Sequence, residues 1–182
     1  MGAIPTLHDV LLDARQSGLY LKIELKGPNT VEPTLQLVEH HNLVHQCSFS
    51  SFDAGRLRLL RKLRSEKDSR SGRHIYRVGI LFNDLPVDFL QQARDVGADE
   101  IHLRYDTCER SIIARIHKEG FESMAWFRGP IGMALDTATK YWDVGNEDSS
   151  MYQTVLKTGV QQLCLNKPDV MIAMLRDENI ES

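Results

Sequence analysis

Residues 19–25 read LYLKIEL, and their alternation of apolar and polar residues is typical of a half-buried β-strand. The apolar face would hold Leu19, Leu21, Ile23 and Leu25, and the polar face would hold Tyr20, Lys22, Glu24 and Lys26. Residues 6–16, just before this strand, show helical spacing behind a threonine that can cap a helix. The chain is therefore predicted to begin with a helix and to continue with a strand.

Strands and helices are predicted to alternate along the rest of the chain. Further strands are expected over 43–49, 75–82, 100–104, 121–127 and 161–165, and helices over 30–41, 53–63, 86–96, 107–118, 151–157 and from 168 onward. Strands separated by helices form βαβ units with parallel strands. By length alone, six such units favour an open doubly wound sheet, since a closed (β/α)8 barrel needs eight strands and about 250 residues. The sequence nevertheless lacks the glycine-rich loops with which such sheets bind nucleotides.

Composition indicates an ordinary globular domain. The chain has 182 residues, of which 42% are hydrophobic and 26% charged, so one packed domain over 1–182 is expected, with linker-like loops at 65–74 and 128–149. The net charge of −3 argues against nucleic acid as a partner.

The three cysteines, Cys47, Cys108 and Cys164, show no C-x-x-C spacing, which favours buried, reduced thiols. No apolar run reaches the roughly 20 residues of a membrane-spanning helix, and no leader pattern is seen. A reducing compartment, cytoplasmic by default, is therefore expected.

Glu24 and Lys26 are the first candidate site residues. A period of two places both side chains on one face at the C-terminal end of their strand, where parallel α/β proteins gather catalytic groups. A carboxylate suits Mg²⁺ or Ca²⁺, and a lysine suits a phosphate. The alternative is an ordinary charged face turned toward solvent.

The sequence as a whole resembles the glycerophosphodiester phosphodiesterase family. The resemblance is carried, in order and spacing, by IPTLHDVL (4–11), LYLKIELKG (19–27), Ser48-Phe49, Trp126 and GVQQLCLNKPDV (159–170). The family counterparts are an I-P-T-L-x-E-x-L helix start, an I-E-I-K strand, an S-F pair, a W-T-V-N strand end and a G-V-D-G-I-x-T-D-x-P finish. The resemblance covers essentially the whole chain.

The resemblance implies an incomplete (β/α)8 TIM barrel that lacks the N-terminal part of the domain. The I-E-I-K strand is the third of eight in the family, so about six βα units would correspond to strands three to eight. In the family, the first two strands carry a His-Arg pair and a Glu-x-Asp pair that completes the metal site, and a second histidine lies nearby. None of these has a counterpart here.

The resemblance also implies roles for three residues. Glu24 would be a metal ligand, Lys26 a catalytic and substrate-binding residue that steadies the phosphoryl charge, and Trp126 a substrate-binding wall of the pocket or a barrel-core aromatic. The divalent metal, Mg²⁺ or Ca²⁺, would be weakly held by one carboxylate. The sequence departs from the family pattern at 126–129 (WFRG) and at 165–168 (LNKP).

The implied function is that of a phosphoric diester hydrolase of lipid metabolism. It would cleave a glycerophosphodiester to glycerol 3-phosphate and an alcohol, although this chain alone would be inactive or weakly active. Its small-molecule partner would be a glycerophosphodiester or a lysophospholipid. The alternative is a non-catalytic relative that binds a phosphorylated metabolite or a protein partner. The basic helix 56–64 would be either a solvated barrel helix or a contact with anionic phospholipid. The open edges of an incomplete barrel sheet favour self-association.

His45 and His102 are interpreted as packed or solvated residues rather than catalytic ones.

Overall fold

A computed structural model describes residues 4–127 and 147–180, and strands alternate with helices throughout these ranges. The strands are β1 (Leu21–Glu24), β2 (Cys47–Ser51), β3 (Arg77–Phe82), β4 (Glu100–Arg104), β5 (Glu122–Trp126) and β6 (Gln162–Cys164). The helices are α1 (Leu7–Ser17), α2 (Val31–His40), α3 (Ala54–Leu63), α4 (Phe89–Asp95), α5 (Arg110–Lys118), α6 (Ser149–Leu156) and α7 (Pro168–Ile180).

The strand order decides between the two α/β architectures. The six strands follow one another across the sheet in chain order, from β1 to β6. Leu21 of β1 pairs in parallel with Cys47 of β2, and Met124 of β5 pairs in parallel with Gln162 of β6. A doubly wound sheet reverses its strand order at a switch point, whereas a βα barrel keeps chain order. The open doubly wound sheet favoured by length is therefore wrong, and the incomplete (β/α)8 barrel is confirmed.

The chain divides into two compact units, each with its own core. The first comprises residues 1–81 and 87–101, and the second residues 82–86 and 102–182. Fully buried apolar residues in the first unit include Leu11, Leu35, Phe49, Leu57, Leu60 and Ile80. Those in the second include Leu103, Ile113, Ile116, Ala125 and Tyr152.

Local caps explain where several helices begin and end. Thr6 and Asp9 form a reciprocal capping box at the start of α1, and Gly18 ends this helix in the left-handed region with φ 73°. The Asp53 side chain accepts hydrogen bonds from the backbone N–H groups of Gly55 and Arg56 at the start of α3.

Two predicted boundaries are wrong. The strand predicted over 43–49 begins only at Cys47, because Val44–Gln46 form a 3₁₀ turn in which the Gln46 N–H donates to the Leu43 carbonyl. Thr107 does not cap α5. Its hydroxyl donates to the Arg104 carbonyl at 2.8 Å, which closes a short 3₁₀ turn, and the helix starts three residues later.

Charged residues tie the start of the sheet together in the first unit. The Glu100 side chain is only 3% exposed, and its carboxylate contacts Lys22 Nζ at 2.6 Å and Arg77 Nε at 3.3 Å. Its neighbour Asp99 accepts hydrogen bonds from Arg61 and from the Val78 N–H. Buried acids are retained only when they are paired in this way.

The two predicted linker-like loops differ in what is described. Residues 65–74 are ordered by an isolated antiparallel bridge between Lys67 and His74 and by a turn around Asp68. Of the loop predicted over 128–149, residues 128–146 lie outside the described residues.

The cysteines match their expectation only in part. Cys47 is buried and Cys108 is half-buried, and burial raises the pKa of Cys47 to about 11 and that of Cys108 to about 12. Cys164, at the end of β6, is exposed, contrary to the expectation of burial.

Candidate functional site

The candidate site is built on the C-terminal end of β1 in the first unit. Glu24 is the last residue of this strand and lies in register with Ser50 of β2. The Leu25 N–H donates to the Ser50 carbonyl at 2.7 Å, and the Ser51 hydroxyl donates to the Leu25 carbonyl at 2.7 Å. These bonds continue the strand pairing past Glu24 and hold the segment that leads to Lys26.

The structure brings Glu24 and Lys26 together, as their spacing predicts. Lys26 Nζ lies 3.2 Å from Glu24 Oε2, and the two side chains are 75% and 29% exposed, respectively. The other carboxylate oxygen, Glu24 Oε1, is buried and has no hydrogen-bond partner among the described residues. A buried oxygen without a partner is costly, and this makes it available to a ligand.

The residues around Glu24 do not complete a metal site. Within 4–127 and 147–180, no group of three histidine, cysteine, aspartate or glutamate side chains could hold a metal ion. Mg²⁺ and Ca²⁺ take about six or more oxygen ligands, of which the protein usually supplies several. Among the described residues, Glu24 offers one oxygen without a partner, so this part of the chain fits a divalent ion poorly.

Three arginines of the basic stretch 56–64 pair with acids of their own unit. Arg56 pairs with Asp53 at 3.1 Å, and Arg61 pairs with Asp99 at 2.6 Å. Arg64 pairs with Glu39 at 2.6 Å. Arg56 Nε also donates to the carbonyl of Gly27, just beyond Lys26, at 3.2 Å. The helix therefore braces the loop that follows the candidate site.

Trp126 belongs to the second unit, where it ends β5 and is half-buried. It lies in register with Cys164, and the next residue, Phe127, donates its N–H to the Cys164 carbonyl at 2.9 Å. Phe127 stacks on Tyr105 at 4.6 Å between ring centroids. The role of Trp126 as a pocket wall stays a prediction, and the departure from the family pattern at 128–129 lies outside the described residues.

One buried acid near the end of β6 was missed by sequence reasoning. Glu147 lies in the predicted loop 128–149 but is only 2% exposed, and Asn166 Nδ2 donates to its Oε1. Its Oε2 is buried and has no partner within the part of the chain that the structure describes. Asn166 stands where the family's T-D-x-P finish has an aspartate. This departure was the one feature of the sequence that drew attention to the surroundings of Glu147.

The two singled-out histidines occupy different environments. His102 lies in β4 and is 1% exposed, which agrees with a packed residue. His45 lies in the 3₁₀ turn before β2 and is exposed. Neither observation assigns a catalytic role.

No family model matches this sequence, and no curated protein matches it. Solved structures do. A provisionally assigned glycerophosphodiester phosphodiesterase from Galdieria sulphuraria has a TM-score of 0.77 at 19% identity, covering 96% of this chain and 65% of that one. An Oleispira antarctica phosphodiesterase in complex with the product sn-glycerol-3-phosphate has a TM-score of 0.72 at 16% identity, covering 95% and 62%. A Parabacteroides distasonis glycerophosphodiester phosphodiesterase has a TM-score of 0.69 at 17% identity, covering 96% and 65%.

The strand order and these likenesses define the chain as an incomplete (β/α)8 barrel. Its fold is that of the glycerophosphodiester phosphodiesterases, and it spans 62–65% of the length of these three structures. At 16–19% identity the likeness establishes the fold. Among the described residues, none of the helices combines the length and apolar character needed to cross a membrane.

Proposed function

We propose that the Glu24–Lys26 pair is part of the phosphoryl-binding site of a phosphodiesterase-like protein. Its substrates would be compounds of lipid metabolism: glycerophosphodiesters, cleaved to glycerol 3-phosphate and an alcohol, or lysophospholipids, cleaved to an acylated glycerol 3-phosphate and an alcohol. The observation that carries the proposal is the buried, unpartnered Oε1 of Glu24 beside an exposed ammonium group. The fold shared with phosphodiesterases, one of them in complex with sn-glycerol-3-phosphate, supports it.

The chemistry follows from the charges of the pair. In the reaction, a water oxygen bonds to phosphorus, the bond from phosphorus to the alcohol oxygen breaks, and the alcohol leaves with a proton. Negative charge is present on the phosphoryl oxygens throughout, and the Lys26 ammonium would stabilise it. No proton-transfer role is assigned to Glu24 or to Lys26.

Low activity of this chain alone is part of the proposal. A single carboxylate with an open oxygen would hold Mg²⁺ or Ca²⁺ weakly, and further ligands would have to be supplied from elsewhere. We therefore expect slow or undetectable turnover by this chain, and faster turnover only at high metal concentration.

The test is the release of glycerol 3-phosphate from glycerophosphocholine, with either Mg²⁺ or Ca²⁺. Glu24→Gln and Lys26→Met should abolish any turnover of the wild-type chain, because they remove the carboxylate or the ammonium group. Lys62→Met is the matched control, since Lys62 is an exposed lysine on α3. Turnover that survives both site variants would contradict the proposal.

The second candidate function is a non-catalytic relative that binds a phosphorylated metabolite or a protein partner. It is favoured by the incomplete set of metal ligands among residues 4–127 and 147–180. In this case, titration calorimetry would detect glycerol 3-phosphate binding that Lys26→Met weakens, without turnover. Turnover abolished by Glu24→Gln would instead favour the enzyme.

Self-association through the sheet edge is a separate proposal. Among the described strands, β1 has a neighbour on one side alone, and the residues that lead into it, Leu19 and Tyr20, are 58% and 50% exposed. Open strand edges of this kind pair readily with other chains. Light scattering across a concentration series would detect a dimer, which Tyr20→Lys should weaken, whereas a monomer at all concentrations would contradict the proposal.

A further inference from the structure

A cavity of about 210 Å³ lies within the first unit at the N-terminal ends of β1, β2 and β3. Tyr20 precedes β1, Cys47 begins β2 and Arg77 begins β3, and all three line the cavity. Glu24 lies four residues beyond Tyr20, about 13 Å along the strand at roughly 3.3 Å per residue. The cavity is therefore separate from the Glu24–Lys26 pair.

Six of the ten lining residues carry side-chain hydrogen-bond donors. They are Tyr20, His45, Ser71, Arg73, His74 and Arg77. The one acid in the lining, Asp68, already accepts hydrogen bonds from the N–H groups of Arg70 at 3.1 Å and Ser71 at 2.7 Å. Both bonds go to Oδ1, and Asp68 also interacts electrostatically with His45 of the lining.

One arginine and one histidine of the lining contact acids that lie outside it. Arg77 Nε lies 3.3 Å from Glu100, and His74 Nδ1 lies 2.8 Å from Asp99. Such contacts restrict the guanidinium and the imidazole to one orientation before any ligand arrives, which lowers the entropic cost of binding.

Backbone hydrogen bonds also order the loop 67–74, which lines one side of the cavity. Lys67 and His74 form an isolated antiparallel β-bridge, and the Asp68 N–H donates to the Arg73 carbonyl at 2.8 Å. The Gly72 N–H returns to the Asp68 carbonyl at 2.9 Å, with Gly72 in the left-handed region at φ 67°. This turn fixes where Arg73 leaves the backbone.

We propose that this cavity binds a small oxyanion, inorganic phosphate or a phosphate monoester, as a second ligand site. Guanidinium groups pair with phosphate oxygens through parallel N–H bonds, and the imidazoles and hydroxyls add donors around them. The cavity is several times the roughly 30 Å³ that one water molecule occupies, so a phosphate group fits.

The test is thermal unfolding of the full chain with about 10 mM inorganic phosphate, against sodium chloride at matched ionic strength. A ligand that binds the native state at tenfold excess over its Kd should raise Tm by about 3 °C. Arg73→Ala should remove at least half of this shift, because Arg73 lines the cavity. Arg70→Ala is the matched control, since Arg70 is on the same loop but outside the lining.

The remaining outcomes are also decisive. No shift in the wild-type chain, or equal shifts in the Arg70 and Arg73 variants, would overturn the proposal. A shift lost in Lys26→Met but kept in Arg73→Ala would also overturn it, by placing the phosphate at the first site. His45→Ala provides a second lining variant on a different element. An equal shift with glycerol 3-phosphate would support recognition of the phosphate group itself, and a larger shift would support an ester as the ligand.

Discussion

Glu24→Gln and Glu39→Gln form a matched pair of substitutions that tests whether Glu24 serves a ligand rather than the fold. Both side chains lie in the first unit and are similarly exposed, at 29% and 28%. Their partners differ. Glu39 receives hydrogen bonds from Arg64 at 2.6 and 3.0 Å and from the Tyr76 hydroxyl at 2.9 Å. Glu24 has one exposed partner, Lys26, and one buried oxygen without a partner among the described residues.

The magnitudes follow from these contacts. Hydrogen bonds to a charged group contribute about 1.5–3 kcal/mol, and partial exposure moves Glu39 to the lower end of that range. We expect Glu39→Gln to reduce the free energy of unfolding by about 1–2 kcal/mol. An exposed ion pair contributes about 0–1 kcal/mol, and the lower desolvation cost of a neutral amide at the buried position offsets that loss. Glu24→Gln should therefore stay within about 0.5 kcal/mol of the wild-type chain, or be more stable.

Urea unfolding with matched m-values measures both differences. In thermal unfolding, Tm should be roughly 4 °C lower in the Glu39 variant and almost unchanged in the Glu24 variant. A Glu24 variant as unstable as the Glu39 variant would refute the reasoning, because Glu24 would then have a structural role that its contacts do not show.

Three other predictions concern the stability of the first unit. Burial, and next the nearby charge of His8, lower the pKa of His41 from 6.5, so the stability it contributes is present above pH 6.5 and lost as the pH falls below it. Between pH 8 and pH 5, Tm should therefore fall less in His41→Gln than in the wild-type chain. Parallel curves of Tm against pH would contradict this. Glu100→Gln should cost about 3 kcal/mol in urea unfolding, because it removes the charge shared by two cations, and a loss below about 1 kcal/mol would refute its structural role. Asp53→Ala should cost about 1 kcal/mol by removing the cap of α3, whereas Asp53→Asn should largely restore it.

Much of the fold could be predicted from local sequence patterns. Six strands were predicted and each overlaps a strand of the structure, and Glu100–Arg104 has the bounds expected for it. The 3₁₀ turn over Val44–Gln46 could not be predicted, because its backbone bonds leave no mark in the apolar pattern. The strand count alone favoured the wrong sheet, because strand order is fixed by tertiary pairing and not by the number of units.

The candidate site was only partly predictable for a similar reason. A spacing of two is a local property, and it predicted that Glu24 and Lys26 lie together. Their side chains are 3.2 Å apart, and β1 itself ends at Glu24. Lys22 pairs with Glu100, which is 78 positions away, and the local sequence around either residue does not predict this pair. The burial of Glu147 beside Asn166 likewise depends on a tertiary contact between residues 19 positions apart.

The unequal exposure of the three thiols gives the protein a built-in labelling position. A thiol reacts with a maleimide as its thiolate, and the raised pKa values of Cys47 and Cys108, about 11 and about 12, keep these two protonated at neutral pH. Cys164, exposed at the end of β6, should therefore take up a fluorophore selectively in the native wild-type chain. A dye on Cys164 would report on ligand binding or unfolding in the second unit, and Cys47 and Cys108 would not need to be replaced first.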